Sequence, residues 1–432
     1  VFLRSTDFEN RYAGTWGGVC MTDKQRLIFH CDCNNFYASC ECLERPDLKD
    51  VPMAVAGDPE QRAGIVVAKN ELAKKAGVKT TDTVWQARRK CPGIVFVPPR
   101  HKYYEKISGK VNAIYHEYTD YLEPASIDES YLDLTGAPAF YGYTPVQLAD
   151  ELRRRVREEI GVTISVGVSY NKAFAKMGSD YKKPDATTLI TKDNYREILW
   201  PLPVSDLFFA GKATVNVLHK KGIMTIGDLA QRSRGYLQGL LGKGGEQLWI
   251  YANGMNESPV RLWGDKEEVK SISRGMTFPH DLITEEDVKG GVRALADRVA
   301  SQLRRQNLVG ACVQVQIKTP QLATVSRQTT LRHHTCLSKE IEETILQLIR
   351  MHWRIGASHP IRAITVGMAS LKPSEESSEQ LSFFDYTVEG RVQQRRRGRQ
   401  ERLEAAVDDI RKKLGNSAVS RGFAGVENGK RL

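Results

Sequence analysis

Asp32 closes an otherwise apolar run, RLIFHCDC, that reads as a short buried strand. An aspartate is seldom buried without a partner or a cation, so any fold of this chain has to bring it one. The second such place is SIDES, where Asp128 and Glu129 stand side by side just before the strand-like YLDLTG. Adjacent carboxylates repel each other and resist joint ionisation unless a cation lies between them. Three carboxylates from two strands, with few histidines or suitably spaced cysteines nearby, suit Mg²⁺ rather than zinc. Such a set is what two-metal phosphoryl transfer requires. Taken alone, one Asp and a distant Asp-Glu pair also describe a surface turn with a helix-capping acid, and both readings stand at this point.

The same strand opens the most cysteine-dense stretch, HCDCNNFYASCEC over residues 30–42. On a strand, Cys31 and Cys33 share one face and Asp32 takes the other. Cys40 and Cys42, if helical, lie about 200° apart around the axis and cannot chelate one ion together. Neither pair has the spacing of a structural zinc site. The thiols therefore read as small buried hydrophobes, and eight cysteines without framework spacing fit a reducing compartment.

A chain of 432 residues exceeds one ordinary core, so several domains are expected. No run approaches the roughly 18 consecutive apolar residues of a membrane span, and the first twenty residues lack the pattern of a secretory signal. The expectation is a cytoplasmic protein without a membrane anchor. Residues 1–21 follow neither a helix nor a strand period and read as an unstructured N-terminal extension, with Met21 the expected natural start.

Beyond Met21, strands and helices alternate in mixed order. VPMAVAG, GIVVAKN, GIVFVPP and TISVGVS read as strands. ELAKKAGV (closed by Gly77), HKYYEKISGKVNAIYHEYTDYL, the arginine-rich 145–160 and NKAFAKMGSDYKK read as helices. This order predicts α+β layers with a largely antiparallel sheet. Around Pro201 the chain turns all-helical. Past WGDKEEVKSISR, alternating strands with helices over 286–306 and 338–353 predict a further α/β region. A Pro/Ser/Glu linker, the short QLSFF and RVQQRRRGRQER complete the chain. The net charge of +11 favours a polyanionic partner. Part of that charge sits in the six arginines of the last segment, which could equally be a solvated helix face.

In order along the chain, HCDCNNFYASCE, VVAKNELAKKAGVK, SIDESYLDLTG and SVGVSYNKAFAKMGSDYKKPDA resemble the Y-family of translesion DNA polymerases, its bacterial members most of all. The likeness extends from about residue 25 to residue 388. It implies an α+β multidomain right-hand polymerase. Its palm would take residues 22–35 and 100–188, its fingers 36–99, a small helical thumb 189–260, and an α/β little-finger domain 270–371. Residues 372–432 would then be linker, clamp-binding motif and basic helical tail. The implied activity is DNA-templated addition of dNMP to a primer 3′-hydroxyl, at low fidelity and without proofreading, in translesion synthesis. The expected partners are primer-template DNA, dNTPs and the bacterial sliding clamp, and the expected state is a monomer.

By position, the resemblance has Asp32, Asp128 and Glu129 hold two Mg²⁺ ions, with the Cys33 carbonyl as a backbone ligand. Tyr37 matches the aromatic that lies under the incoming sugar and excludes a ribose 2′-hydroxyl, with Phe36 beside it among the substrate-binding residues. Lys74 falls where the family usually has an arginine facing the triphosphate, and Lys176 matches its triphosphate lysine. A lysine is a point charge and not a bidentate fork, which loosens the geometry expected at position 74. Asn34 replaces an acid that many members carry, and Glu71 a tyrosine that touches the phosphates in some.

FFAGKATVNVLHKKGI resembles a helix-hairpin-helix without its usual Pro-Gly-Ile-Gly form, so a plain helical turn remains open. Arg274, Arg327 and Arg332 are candidate phosphate contacts, and His333-His334 reads as surface. QLSFF, residues Gln380, Leu381, Ser382, Phe383 and Phe384, resembles the peptide by which bacterial polymerases dock on the sliding clamp, with Phe383 in place of leucine. Two other classes remain as alternatives: a catalytically silent DNA-binding scaffold, and a different palm-type nucleotidyltransferase such as a nucleotide cyclase.

Overall fold

The computed structural model describes residues 26–58, 64–265, 268–376, 388–415 and 418–419. Residues 1–21 and the QLSFF motif lie outside them. The chain divides into two units, one of residues 1–57 and 65–265, the other of residues 58–64 and 266–432.

The first unit begins with β1 (Ile28–Cys33), buried along its whole length. A turn with Asn35 in the left-handed region, which asparagine tolerates, leads into α1 (Phe36–Glu44). β2 (Met53–Ala56), β3 (Val66–Lys69), α2 (Glu71–Lys75), α3 (Val84–Lys90) and β4 (Val95–Val97) form a small layer. In it β2 pairs with β3 antiparallel and with β4 parallel. Ala54, Val66, Ala73, Val78 and Ala87 give that layer its own apolar centre. Asn70 ties it together. Its side-chain oxygen caps α2 by accepting from the Ala73 N–H, and its amide donates to the Leu48 and Val51 carbonyls.

The larger layer follows: α4 (His101–His116), β5 (Leu122–Pro124), β6 (Glu129–Asp133), α5 (Ala137–Tyr141), α6 (Pro145–Arg155), β7 (Ile164–Ser169), α7 (Lys172–Tyr181) and β8 (Thr187–Leu189). With β1 the strands make one sheet in the order β5-β6-β1-β7-β8, antiparallel except at the β7–β8 edge. Alternation sorts the side chains. Phe29, Cys31, Cys33, Leu132, Val166 and Val168 turn to one side and pack with Val111, Ile114, Leu148 and Leu152 of α4 and α6. His30, Asp32, Glu129, Ser165 and Gly167 share the other side, which α7 covers. Cys31, Cys33, Cys40 and Cys42 are buried free thiols, and burial pushes Cys31 up to about 12, so packing is their role.

The close seat of α7 depends on one glycine. A Cβ at Gly167 would lie 1.8 Å from the Ala175 carbonyl oxygen and 2.4 Å from the Ser179 nitrogen. No side chain fits there.

Five short helices complete the first unit: α8 (Tyr195–Leu199), α9 (Lys212–Lys220), α10 (Ile226–Ala230), α11 (Arg234–Leu241) and α12 (Lys243–Ala252). They pack around Leu199, Val204, Leu218, Ile226, Leu229 and Leu248. Ahead of α9, Phe209 stands in the left-handed region at φ 68°, 70% exposed, against Phe208 and Tyr251.

The second unit holds β9 (Ser271–Leu282), α13 (Glu285–Arg305), β10 (Leu308–Lys318), β11 (Thr324–Thr335), α14 (Ser338–His352), β12 (Ile361–Pro373) and α15 (Val388–Leu414). Its sheet, β11-β10-β12-β9, is antiparallel throughout. α13 and α14 bury Val313, Val315, Ile317, Ile364 and Val366 on one face. The open face presents polar groups, with Gln314 donating to Gln328 and Gln316 to Ser326, and Lys318 at the end of β10.

The arginine-rich segment is the helix α15, and its inner face is acidic. Glu404 is fully buried, accepting from the Ser338 N–H and hydroxyl and from Arg304. Asp408 accepts from Arg304 Nε at 2.7 Å and from Ser301, and Arg411 donates to Asp297 at 2.7 Å. Asp297, Ser301 and Arg304 recur at helical spacing on α13. That face lies about half a turn from the one carrying Val292, Leu295 and Val299 to the sheet core. α15 therefore packs on the side of α13 away from the sheet core, while its earlier turns reach the end of β11, where Arg397 donates to the His334 carbonyl at 2.7 Å. Among the described residues, no helix is long and apolar enough to cross a membrane.

Candidate active site

The register of β1 against β6 sets Asp32 directly opposite Glu129, and β7 brings Ser165 to the other flank of Asp32. Asp128 is the last residue before β6, and its carbonyl accepts from the Cys33 N–H at 2.9 Å. The sheet thus gathers the three acids from two strands at one end. Asp32 is 6% exposed, whereas Glu129 and Asp128 are half-buried. Ser126 donates to Asp128 Oδ1 at 2.6 Å.

Two lysines neutralise the pair. Lys176 Nζ lies 2.8 Å from Glu129 Oε1 and 3.2 Å from Asp32 Oδ2, and Lys183 Nζ lies 2.6 Å from the same Asp32 oxygen. Asp180 shares both ammoniums, at 3.4 Å from Lys176 and 2.5 Å from Lys183. Burial pushes the Asp32 carboxyl above its ordinary value, and the two lysines only partly offset it. At Glu129 burial acts upward too, but the contacts from His30 and Lys176 outweigh it and hold the carboxyl low.

Among the described residues no three His, Cys, Asp or Glu side chains converge as a finished metal group. Asp128 is turned to Ser126, and ammoniums take the facing oxygens of Asp32 and Glu129. The donor set nevertheless fits hard divalent cations: all oxygen, with positive charge already drawn to the point where the carboxylates meet.

Behind Glu129 stands His30, fully buried on the same strand face as Asp32. Its Nδ1 meets Ser179 Oγ at 2.8 Å, while Nε2 lies 3.3 Å from Glu129 Oε2, within ion-pair range but outside hydrogen-bond geometry. Burial pulls its pKa down. Asn34, in place of an acid, is a bracket. Its amide donates to Ser165, and its oxygen accepts from the Thr163 hydroxyl and the Asp185 N–H. Glu71 accepts from Asn35 at 2.9 Å and pairs with Lys74 at 3.5 Å.

Tyr37 is half-buried on α1. Burial, and next the charge of Asp128, raise its pKa. Tyr104 stacks against it and donates to Glu41 at 2.6 Å, and Arg100 clamps Glu41 through Nε and Nη2. Phe36, read from the sequence as substrate-binding, is 3% exposed and packs in the sheet core with Tyr104. Lys74 is exposed on α2 and pairs with Glu71, and among the described residues it has no contact with Asp32, Asp128 or Glu129.

Lys176 thus joins Asp32 and Glu129, while Lys183, His30 and the Tyr104–Glu41–Arg100 support were missed by sequence reasoning. His30 could have been found, since it lies two residues before Asp32 on a strand. Lys183 lies two residues past the end of α7 at Tyr181, where helical spacing no longer relates it to Lys176. In the second unit the register turns Arg274 and Arg327 to the side of the covering helices, beside Val366 and Val315. Arg332 is exposed, and His333 pairs with Glu340 at the surface.

Comparison with known proteins adds to this geometry. Residues 31–180 match the impB/mucB/samB family, and residues 269–383 match the impB/mucB/samB family C-terminal domain. DNA polymerase IV of Acetivibrio thermocellus is 42% identical over 399 residues, covering 92% of this chain and 97% of that protein. DNA polymerase IV 1 of Bacillus subtilis is 36% identical, covering 93% and 94%. Among solved structures, a chimeric Y-family DNA polymerase superposes with a TM-score of 0.70 over 80% of this chain at 22% identity. That last likeness is one of fold.

Proposed function

This chain belongs to the impB/mucB/samB family, the Y-family DNA polymerases, and is a DNA-directed DNA polymerase with a right-hand α+β fold; from that premise we propose that it extends primers by two-metal nucleotidyl transfer at Asp32, Asp128 and Glu129, at low fidelity and in translesion synthesis. The observation that carries the site assignment is the in-register pairing of Asp32 with Glu129, bridged by Lys176 and adjoined by Asp128. A surface turn with a capping acid would need neither the burial of Asp32 nor two ammoniums upon it.

The residues act as follows. Asp32, Asp128, Glu129 and the Cys33 carbonyl would hold two Mg²⁺ ions, which supply Lewis acidity to the primer 3′-hydroxyl and the α-phosphate when bound. With cations held there, Lys176 and Lys183 would be free to leave Asp32 and pair with triphosphate oxygens. Among the described residues, the Asp128 carboxylate would have only its Ser126 contact to give up in joining them. Lys74 supplies a further ammonium from α2. Tyr37, fixed by its stack on Tyr104, bars a 2′-hydroxyl.

In this reading β1 with β5–β8 is the palm, β2–β4 the fingers, α8–α12 the thumb and the second unit the little finger. The clamp docks on residues 380–384 and the enzyme works as a monomer; both points rest on sequence alone. Primer extension with Mg²⁺ and dNTPs tests the assignment, comparing the parent with Asp128→Ala/Glu129→Ala. Extension is expected from the parent only. Equal extension by the double variant would remove these acids from the site.

A further inference from the structure

The two arginine-rich stretches of this chain are built differently. Around α6, every arginine has a counter-charge. Arg153 pairs with Asp150 and Asp185, Arg154 with Glu151 and Glu158, Arg155 with Glu117 and Glu159, and Arg157 with Asp185. On α15 the charges are segregated. Glu404 and Asp408 point inward to α13 and the start of α14. Arg395, Arg399 and Arg402 fall on the opposite side of the helix by its angular spacing, with Arg396 flanking them. All four are exposed, and among the described residues none has an ion pair.

The positions three and four residues from each of these arginines hold no acid. Three of those neighbours are arginines of the same stripe, at 395–399, 396–399 and 399–402. Like charges at that spacing destabilise a helix, each pair by a few tenths of a kcal/mol. The stripe is therefore an unfavourable arrangement for the isolated protein, held in place by the ion pairs of the inner face. Its chemistry suits a polyanion that brings its own closely spaced negative charges.

We propose that the outer face of α15 is a second nucleic-acid contact surface, binding a phosphodiester backbone through Arg395, Arg396, Arg399 and Arg402. It lies on the outer side of a helix that packs on α13, the start of α14 and the end of β11. The identity of the polyanion rests on the polymerase reading. Duplex and single strand share the required chemistry.

The test uses the full chain and two labelled probes, a primer-template duplex and a single strand of equal length. Affinity is measured across a salt series for the parent, for R395Q/R396Q/R399Q/R402Q, and for R154Q/R157Q, which removes paired arginines. Circular dichroism and melting confirm that the first variant keeps its fold, as expected with the inner face of α15 untouched. For it, the slope of log affinity against log salt is expected to shrink by about 2–4 units on at least one probe. Affinity at low salt is expected to fall at least about tenfold. The probe that responds identifies the strand form.

An unchanged slope on both probes overturns the proposal. So does an equal loss per residue in R154Q/R157Q, which would reduce the effect to net charge. Stronger competition by polyglutamate than by DNA would overturn it in favour of an acidic protein surface. Primer extension by the parent is read separately. A parent that extends, with a slope indifferent to the stripe, keeps the polymerase reading and loses this inference. A parent that neither extends nor binds DNA loses both.

Discussion

Tyr37 lies on Tyr104 as a stacked pair, ring centroids 4.2 Å apart and planes 16° from parallel. Tyr104 is itself pinned by Glu41, so the ring proposed to inspect the sugar is backed by a buried support. Tyr37→Ala is expected to raise ribonucleotide incorporation strongly. Tyr104→Leu, which leaves Tyr37 in place, should loosen the gate by less. An aromatic pair contributes about 0.5–1.5 kcal/mol, so discrimination should fall by up to about tenfold. Relative kcat/KM for dNTP and rNTP measures both, and an unchanged ratio in Tyr104→Leu would show that the support is dispensable.

Lys183 shares one oxygen of Asp32 with Lys176. If it moves onto the triphosphate as the acids fill, Lys183→Met should raise the KM for dNTP by about tenfold. A charge-assisted hydrogen bond contributes about 1.5–3 kcal/mol. Steady-state extension kinetics at saturating Mg²⁺ check this, with thermal melting as the fold control. A normal KM would confine Lys183 to its ion pairs in the free protein.

Gly167→Ala tests how closely α7 must lie on the sheet. The added methyl would collide with backbone at Ala175 and Ser179, which cannot swing aside as a side chain could. Overpacking of this kind costs about 1–3 kcal/mol or more. Urea unfolding should show at least that loss. Activity should fall further still, because Lys176 and the His30–Ser179 contact both depend on the seat of α7.

The docking of α15 has a predictable acid limit. Burial acts upward on the Asp408 carboxyl, but the hydrogen bonds from Arg304 and Ser301 outweigh it and hold it below its ordinary value. A group lowered by folding contributes fully above its unfolded pKa, about 3.9 for Asp, and loses that contribution as pH falls through the folded value. Limited proteolysis should therefore leave α15 protected at pH 5 and cut it increasingly toward pH 3. Glu404→Ala should remove the protection at neutral pH, since breaking a buried ion pair costs about 3–5 kcal/mol.

Much of this architecture could be read from local pattern. The strand carrying Asp32, the largely antiparallel sheet and the second-unit helices over 285–305 and 338–352 all follow from periodicity. The packing role of the thiols followed from face alternation. Other features depend on distant pairings. Lys183 reaches Asp32 across 151 positions, and Tyr104 reaches Glu41 across 63. Phe36 and Tyr37 look interchangeable in sequence, yet the turn of α1 sends one into the core and leaves the other half-exposed. The arginines of the last segment drew the eye, while the two acids that seat it are ordinary in composition and become informative only once Arg304 stands opposite them.

That last arrangement bears on how genetic lesions in this chain should be interpreted. A stop codon between positions 388 and 404 spares every catalytic carboxylate and every strand, and would be scored as a harmless loss of a charged tail. It would instead uncover one side of α13 and remove the Glu404 carboxylate to which the opening N–H of α14 donates. Such alleles should behave as folding defects of the second unit, with phenotypes that worsen on warming.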